Sequence, residues 1–199
     1  FLLIGIVPII LVRAGMLGSY ENRAVFIRTS EILSQAKILA NQIVSSKYLN
    51  NAEAAKAVDV QLEQFSTIYD GRVMIIDDSF HIVRDPYAID NGKTIISEEV
   101  MKSFTGEEIT KYDAQNRYIE LTMPLVQTDE KTDAKLTVGV MMVSVSTDSI
   151  HLNLEYLSTS TAVILLACIF AILVIAYFAS VRLVKPLHTI SESIEEVQT

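Results

Sequence analysis

Two uncharged apolar stretches lie near the two ends of the chain. Residues 1–12 carry no charged side chain, and neither do residues 156–181. The second stretch is longer than the roughly 20 residues that a helix needs to cross the hydrocarbon core of a membrane, so it predicts a transmembrane helix over 156–181. The first stretch is too short to cross alone, and we interpret residues 1–13 as the truncated remainder of a first transmembrane helix. A signal anchor is the alternative for this stretch.

Apolar residues after the first stretch recur at helical spacing. One stripe, with spacings of three, four and seven, consists of Val25, Ile32, Ala36, Leu39 and Ile43. Such a heptad-like stripe predicts a helix that packs against another helix. The pattern breaks near Asn50 and Asn51 and resumes over residues 54–69, and Gly71 follows as glycine often does beyond a helix end. We therefore expect a long helix over residues 20–69 with a break near its middle.

The pattern of apolar positions changes at Gly71. Two short β-rich runs, GRVMIID and HIVRDP, flank a turn-type DDSF cluster and predict a hairpin. Ser97 has the character of an N-cap for a short helix, SEEVMKSF. Two strands around a DAQN turn follow, and KLTVGVMMVSVS is the last and most apolar strand. This order predicts an α+β fold, with an antiparallel sheet domain over 71–147 behind the long N-terminal helix.

Charge is concentrated between the two apolar stretches. Residues 14–155 hold 13 Lys and Arg against 21 Asp and Glu, which accounts for the net charge of −8 of the whole chain. Arg182 and Lys185 follow the predicted span directly, and the positive-inside rule places them in the cytoplasm. The acidic segment 14–155 is then outside the cell. The one cysteine, Cys168, lies inside the predicted span, so the outer segment contains no disulfide.

The order of these motifs is similar to that of a known family of sensors. GRVMIIDDSFHIVRDP, NGKTI with EEVMKSFTGEEI, YIELTMPLV and KLTVGVMMVSVS resemble the extracytoplasmic PAS-like domain, called a single Cache or PDC domain, of bacterial membrane receptors. With both apolar stretches, the chain resembles the front half of two-component sensor histidine kinases of the phosphate-sensor or WalK type. The resemblance implies a homodimer in the bacterial plasma membrane, in contact with membrane lipid, whose sensor domain detects an unknown extracellular ligand.

The segment after the predicted span resembles the start of a HAMP linker, over residues 182–199. The positions of RLVKPLHTISESIEEV that match the HAMP pattern, and to which the resemblance assigns signal transmission, are Pro186, Leu187, Ile190, Ile194 and Val197. Proline lacks an N–H and disfavours a helical residue before it, so Pro186 separates two helices. The alternative is a proline that simply ends the span, followed by a charged helix on the membrane surface.

The sequence contains no catalytic constellation. His188 does not match the phosphoacceptor motif of histidine kinases, and no Cys or His pair has zinc spacing. The resemblance implies that the parent protein is an ATP-dependent histidine kinase, with ATP and Mg²⁺ in a kinase domain beyond Thr199 and a response regulator as its partner. We expect no cofactor within these residues and no nucleic-acid partner. The alternatives are the same front end on a chemoreceptor or diguanylate cyclase, and a non-signalling membrane-anchored binding protein.

Two sets of residues are candidates for ligand binding. In the family that the chain resembles, a ligand lies between the sheet and the inserted loop and helix, where the candidates are His81, Arg84, Tyr87, Lys93, Tyr118 and Thr122. Basic side chains there could pair with a carboxylate or phosphate, although ordinary surface charges and a core tyrosine explain the same residues. The second set could bind Ca²⁺ or Mg²⁺ through oxygen ligands, or could be a solvated acidic face: Glu98, Glu99, Glu107 and Glu108.

The interpretation of Pro186 as a joint between two helices is testable. We expect Pro186→Ala to change signal output, because it would make the span and the following helix continuous. Ligand affinity of the sensor domain should stay the same. A reporter strain measures the first quantity and titration of the purified protein the second, and unchanged output would contradict the interpretation.

Overall fold

The structure, a computed structural model, describes residues 2–46, 48, 52–128, 134–179 and 181–182. Its contacts divide the chain into two units. The first, called here the terminal unit, combines Phe1–Asn22 with Leu152–Thr199, and the second, called here the sheet unit, is Arg23–His151. The domain boundaries expected above, 14–155 for the sensor domain and 156–181 for the span, stay predictions.

The helices and strands follow the order that the sequence predicts. They are α1 Leu2–Ser45, α2 Ala52–Tyr69, β1 Gly71–Asp77, β2 Ile82–Arg84, α3 Glu98–Phe104, β3 Ile109–Asp113, β4 Tyr118–Thr128, β5 Lys135–Ser146 and α4 Asp148–Ala179. The five strands form one antiparallel sheet in the order β2-β1-β5-β4-β3. The predicted α+β class, with an antiparallel sheet and a long N-terminal helix, is confirmed.

The first helix is longer at its N-terminus than the helix expected from residue 20. α1 has 44 residues and continues through Gly15 and Gly18. A glycine within a helix costs only about 1 kcal/mol relative to alanine, so the surrounding apolar helix formers outweigh two of them. α2 begins at Ala52, on the far side of the expected break, and Asn50 and Asn51 lie outside the described residues.

Most buried apolar residues of the sheet unit come from the stripe on α1, one side of α2 and one face of the sheet, and α2 contacts both β1 and β5. All five predicted stripe residues are buried, from Val25 at 9% exposure to Ala36 at 0%. Strand residues on the face that continues this core are at most 2% exposed: Val73, Ile75, Ile119, Leu121, Met123, Leu125, Met141, Val143 and Val145. β5, the most apolar strand, lies between β1 and β4, and its residues 139–143 are buried on both faces.

The opposite face of the sheet carries a second, smaller apolar cluster. Met74, Ile76, Val140 and Met142 from the strands pack there with Val100 of α3. Ser97 caps α3 by accepting a hydrogen bond from the Val100 N–H at 3.2 Å, as its sequence position predicts. α3 therefore covers part of this face, which we call the α3 face.

One helix among the described residues is long and apolar enough, by length and composition, to cross a membrane. It is Asp148–Phe178 within α4, and it contains most of the stretch predicted to span. The first span expected over residues 1–13 stays a prediction. The expected HAMP positions, Pro186, Leu187, Ile190, Ile194 and Val197, lie outside the described residues.

Gly71 is required where β1 meets β5. A Cβ at this position would lie 2.8 Å from the Ser144 carbonyl oxygen and 2.8 Å from Val145 Cγ2. We expect Gly71→Ala to lower the free energy of unfolding by about 1–3 kcal/mol, because the strands would have to separate locally. Chemical denaturation of the full chain in detergent measures this change. Thr110→Ala on the exposed edge strand β3 is the control, expected within about 0.5 kcal/mol, and an equal effect of both variants would contradict the argument.

Candidate functional site

Four polar side chains form one row across the α3 face of the sheet. Arg72 pairs in register with Ser144, Ser144 with Glu120, and Glu120 with Lys111. Side chains alternate along a strand, so Arg72 and Ser144 share the face of Met74 and Met142, which lie under α3. We call these four residues the polar row. It lies beside the apolar cluster, where Ser144 and Glu120 are only half-buried.

A buried carboxylate anchors the β1 end of the polar row. Asp85 is 0% exposed and accepts hydrogen bonds from Arg72 Nε at 2.9 Å and Arg72 Nη2 at 2.6 Å. The backbone N–H groups of Tyr87, Ile89 and Asp90 donate to the same carboxylate. The Arg72 guanidinium, and after it the N–H groups of Asp90 and Tyr87, lower the pKa of Asp85 to about 2, which more than offsets the opposing effect of burial.

The loop after β2 is folded back beside Arg72. Arg72 also pairs with Asp90, whose other oxygen accepts a hydrogen bond from Lys93 Nζ at 2.6 Å. Lys93, and then Arg72, lower the pKa of Asp90. Gly92 N–H donates to the Ile82 carbonyl at 2.8 Å and closes the loop. The two bases and two acids of this cluster balance one another, so it leaves little net charge to attract an anion.

The half of the polar row that includes Glu120 and Lys111 lies near a second acidic side chain, Glu99. Burial raises the pKa of Glu120, and the charge of Glu99 raises it further. Lys111 is the nearby base, but its Nζ lies 3.5 Å from a Glu99 oxygen. In the part of the chain that the structure describes, the Glu120 carboxylate has no side-chain hydrogen bond or close ion pair, and Lys111 acts on it only as a nearby charge. Thr122, two residues along the same face, is 1% exposed and its hydroxyl has no partner among the described residues.

The structure places the predicted ligand residues in three locations. Tyr87 and Lys93 lie on the loop beside Arg72, and the Tyr87 hydroxyl donates to the Gly71 carbonyl at 3.4 Å. Tyr118 and Thr122 share the face of Glu120 on β4. His81 and Arg84 belong to the β2 edge: His81 is 3.8 Å from Asp77. Their ligand-binding roles stay predictions.

Arg84 forms ion pairs with two acidic residues of α2. Its Nε lies 3.0 Å from an Asp59 oxygen and its Nη2 lies 3.3 Å from a Glu63 oxygen. These contacts join the β2 edge to the helix. Sequence reasoning did not select Arg72, Ser144 or Glu120. The available signal was a polar residue within an otherwise apolar strand, as in GRVMIID and VMMVSVS.

The acidic residues around α3 pair with separate lysines. Glu98 lies 2.6 Å from Lys102, and Glu108 lies 2.8 Å from Lys37 on α1. Glu99 pairs with Lys111, and Glu107 is exposed. Over the described ranges no group of three or more His, Cys, Asp or Glu side chains is placed to hold a metal ion. The divalent-cation site suggested for these residues stays a prediction.

A short joint connects the polar row to α4. Ser144 precedes the start of α4 at Asp148 by four residues. Between them, the Thr147 N–H donates to the Arg117 carbonyl at 2.8 Å, and the Thr147 carbonyl accepts from Ile150 and His151. The Tyr112 hydroxyl lies 3.4 Å from His151 Nε2. These bonds hold the first turn of α4 to the sheet, so a displacement of β5 at Ser144 would move that turn as well.

Comparison with known proteins identifies the fold. The sequence matches no family model and no curated protein. The structure is similar to the sensor domain of the histidine kinase DctB of V. cholerae, with a TM-score of 0.57 and 13% identity, over 78% of this chain and 61% of that chain. It is less similar to the E. coli DcuS sensor domain, with a TM-score of 0.45 and 11% identity, over 65% of this chain and 98% of that one. The chain thus spans less than two thirds of the DctB chain, and the likeness to DctB confirms the predicted sensor-domain fold.

Asp85 is expected to control both the stability of the sheet unit and its dependence on pH. Its pKa is about 2 in the folded protein and 3.8 ordinarily, so its contribution is present above about pH 4 and is lost as pH falls to about 2. We expect Asp85→Asn to cost about 2–3 kcal/mol at neutral pH, because it removes the charge that Arg72 pairs with. The variant should also lose less stability between pH 4 and 2. Urea titrations at several pH values measure both effects, with exposed Asp78→Asn as the control; a wild-type pH profile in Asp85→Asn would contradict this assignment.

Proposed function

We propose that this chain is the sensor and transmembrane part of a two-component histidine kinase in the bacterial plasma membrane. The supporting observation is the fold that the sheet unit shares with the DctB sensor domain. A helix that is apolar and long enough to span follows the last strand after a single residue, Thr147. By the positive-inside rule, Arg182 and Lys185 would be cytoplasmic and the acidic sheet unit extracytoplasmic. The phosphate-sensor or WalK type is a finer assignment that we retain as a hypothesis.

In this proposal the ligand binds at the polar row. Arg72 and Lys93 already pair with Asp85 and Asp90, so a carboxylate or phosphate would have to compete with these acids. Glu120 instead has a carboxylate without a partner among the described residues, and Thr122 and Ser144 offer hydroxyls on the same face. These groups favour a small polar ligand that carries a hydrogen-bond donor, such as a protonated amine.

The signal would pass from the polar row through β5 into α4. Ser144 belongs to the polar row and Asp148 begins the helix, so the connection is short and hydrogen-bonded. Beyond α4, the HAMP segment with Pro186 would transmit the movement to a kinase domain that uses ATP and Mg²⁺ and phosphorylates a response regulator. A coupling free energy of about 1–3 kcal/mol is enough to bias such a two-state element.

A homodimer is part of the proposal, and the surface of α1 and α2 supports it. A groove of about 300 Å³ between the two helices is lined by Gln35, Ile38, Leu39, Gln42, Gln61, Gln64, Phe65, Ile68 and Tyr69. Ile38 is 58% exposed and Ile68 is 70% exposed. The groove carries no formal charge, and a helix from a second copy would cover these side chains. The partner in this proposal is therefore the same chain.

The experiment that tests the sensor function measures ligand binding and signalling on the same protein. The full chain in lipid nanodiscs is heated with inorganic phosphate, small dicarboxylates, Mg²⁺ and small amines, and the midpoint of unfolding is recorded. A compound that binds the folded state raises the midpoint once its concentration exceeds its dissociation constant, because a hundredfold excess adds about 2.7 kcal/mol to the free energy of unfolding. We expect Ser144→Leu to abolish the shift, because the larger side chain fills the polar row, and Ser79→Leu on the exposed turn to preserve it.

A chimaera separates binding from signalling. The chain is joined after its HAMP segment to the cytoplasmic half of a histidine kinase with a transcriptional reporter. We expect the stabilising compound to change reporter output, and the change to disappear in Ser144→Leu. A compound that binds at the polar row without changing output in any chimaera would favour a non-signalling binding protein. A stabilising compound whose effect survives Ser144→Leu would place the ligand site elsewhere.

A further inference from the structure

A single arginine connects the two helices of the terminal unit. Arg13 on α1 donates from Nη2 to the Ser158 carbonyl oxygen at 3.0 Å and to Ser158 Oγ at 3.1 Å, on α4. The Thr161 hydroxyl donates to the same carbonyl at 3.0 Å. Arg13 Nε is buried and has no hydrogen-bond partner among the described residues. We call Arg13, Ser158 and Thr161 the arginine node.

The surroundings of the arginine node contain almost no other charge. Arg13 is the one charged residue in positions 1–20, and residues 156–181 contain none. The part of the chain that the structure describes gives Arg13 no carboxylate partner. A guanidinium among apolar helices is costly when its donors are incompletely paired, and an apolar side chain such as leucine would avoid that cost. The stability of the helix pair therefore does not account for arginine at this position.

Arginine at this position can specify the axial register of α1 against α4, whereas leucine cannot. In lipid, apolar side chains on two helices pack comparably well after a small slide, because the lipid tails are as apolar as the side chains. A directional hydrogen bond from one side chain to one carbonyl is satisfied at a single height. Buried polar groups that specify register are the best-attested use of such costly residues.

The sequence of α4 offers Arg13 other acceptors at regular spacing. Glu155 precedes Ser158 by three residues and Thr161 follows it by three, which places each about 4.5 Å away along the axis. A slide of α4 in one direction would replace the Ser158 contact by an ion pair with Glu155. A slide in the other direction would bring the Thr161 hydroxyl to Arg13. The helix pair thus has discrete positions rather than a continuous range.

We propose that Arg13 is a positioning residue that holds α1 and α4 in one register through Ser158, with Glu155 and Thr161 as the acceptors of neighbouring registers. The register depends only on hydrogen bonds from the Arg13 guanidinium to these oxygen acceptors. The proposal concerns the helix pair itself and does not depend on any ligand, on the polar row or on the kinase assignment. The residues expected to transmit the signal follow the C-terminal end of the span. Arg13 acts instead near its N-terminal end, at Ser158.

Cysteine crosslinking in native membranes tests the register directly. The full chain carries Cys168→Ala, which removes the native thiol, and Leu17→Cys on the half-buried side of α1. A second cysteine is placed in turn at each position from 154 to 165 except the three acceptor positions 155, 158 and 161, and the disulfide yield is recorded. With Arg13 present, we expect one sharp maximum. With Arg13→Leu, we expect the yield at that maximum to fall and yields three or four positions away to rise. Loss of a hydrogen bond to a charged group changes a two-state population by about tenfold or more.

Two further variants make the outcome decisive. Arg23→Leu, which replaces an exposed arginine ten residues along the same helix, should leave the yield profile unchanged. Arg13→Gln is neutral but can still hydrogen-bond, and should give an intermediate profile even if Arg13→Leu fails to accumulate in the membrane. A role in packing alone predicts lower yields at every position without a change of maximum, and would overturn the proposal. Retention of the wild-type profile in Arg13→Leu, or in Arg13→Gln where the leucine variant does not accumulate, would overturn it as well.

Discussion

The pairing of β5 with β1 on one side and β4 on the other is the interaction on which the sheet unit depends. One face of β5 supplies Met141, Val143 and Val145 to the core, and the other supplies Ser144 to the polar row. Its C-terminal end leads through Thr147 into α4. The same strand therefore contributes to the core and to the candidate site and leads directly into α4. A movement of β5 cannot be confined to any one of them, because densely packed interiors transmit displacement rather than absorb it.

The two ends of the polar row differ in how their charges are compensated. At the β1 end, Arg72 is held by Asp85 and Asp90, and backbone N–H groups complete the coordination of the buried Asp85 carboxylate. Such a satisfied cluster favours one conformation of the loop and has little capacity for a further ion. At the other end, burial and the charge of Glu99 raise the pKa of the half-buried Glu120, and the charge of Lys111 offsets this only in part. A carboxylate with a raised pKa beside a rigid cluster is an arrangement typical of binding sites, since the cluster positions the surface and the carboxylate can interact with a ligand.

The arginine node shows the same division within the terminal unit. Packing of apolar side chains between α1 and α4 is not directional, whereas the hydrogen bonds from Arg13 to Ser158 are directional. α1 is a single helix from Leu2 to Ser45, so the residue that meets Ser158 and the buried stripe of the sheet unit belong to one element.

The order of helices and strands, the buried stripe on α1 and the N-cap at Ser97 could all be predicted from the amino-acid sequence. These features depend on residues within a few positions of one another, which the 3.6- and 2-residue periods make visible. It also indicated β5 as the most apolar strand, but its central place in the sheet is known from the structure. The pairing of distant strands is also what brings Arg72, Ser144, Glu120 and Lys111 into one row. The folding of the loop after β2 is what pairs Arg72 with Asp85, while Arg84 lies against α2. Those contacts depend on long-range strand pairing and loop folding, which leave no local pattern along the chain.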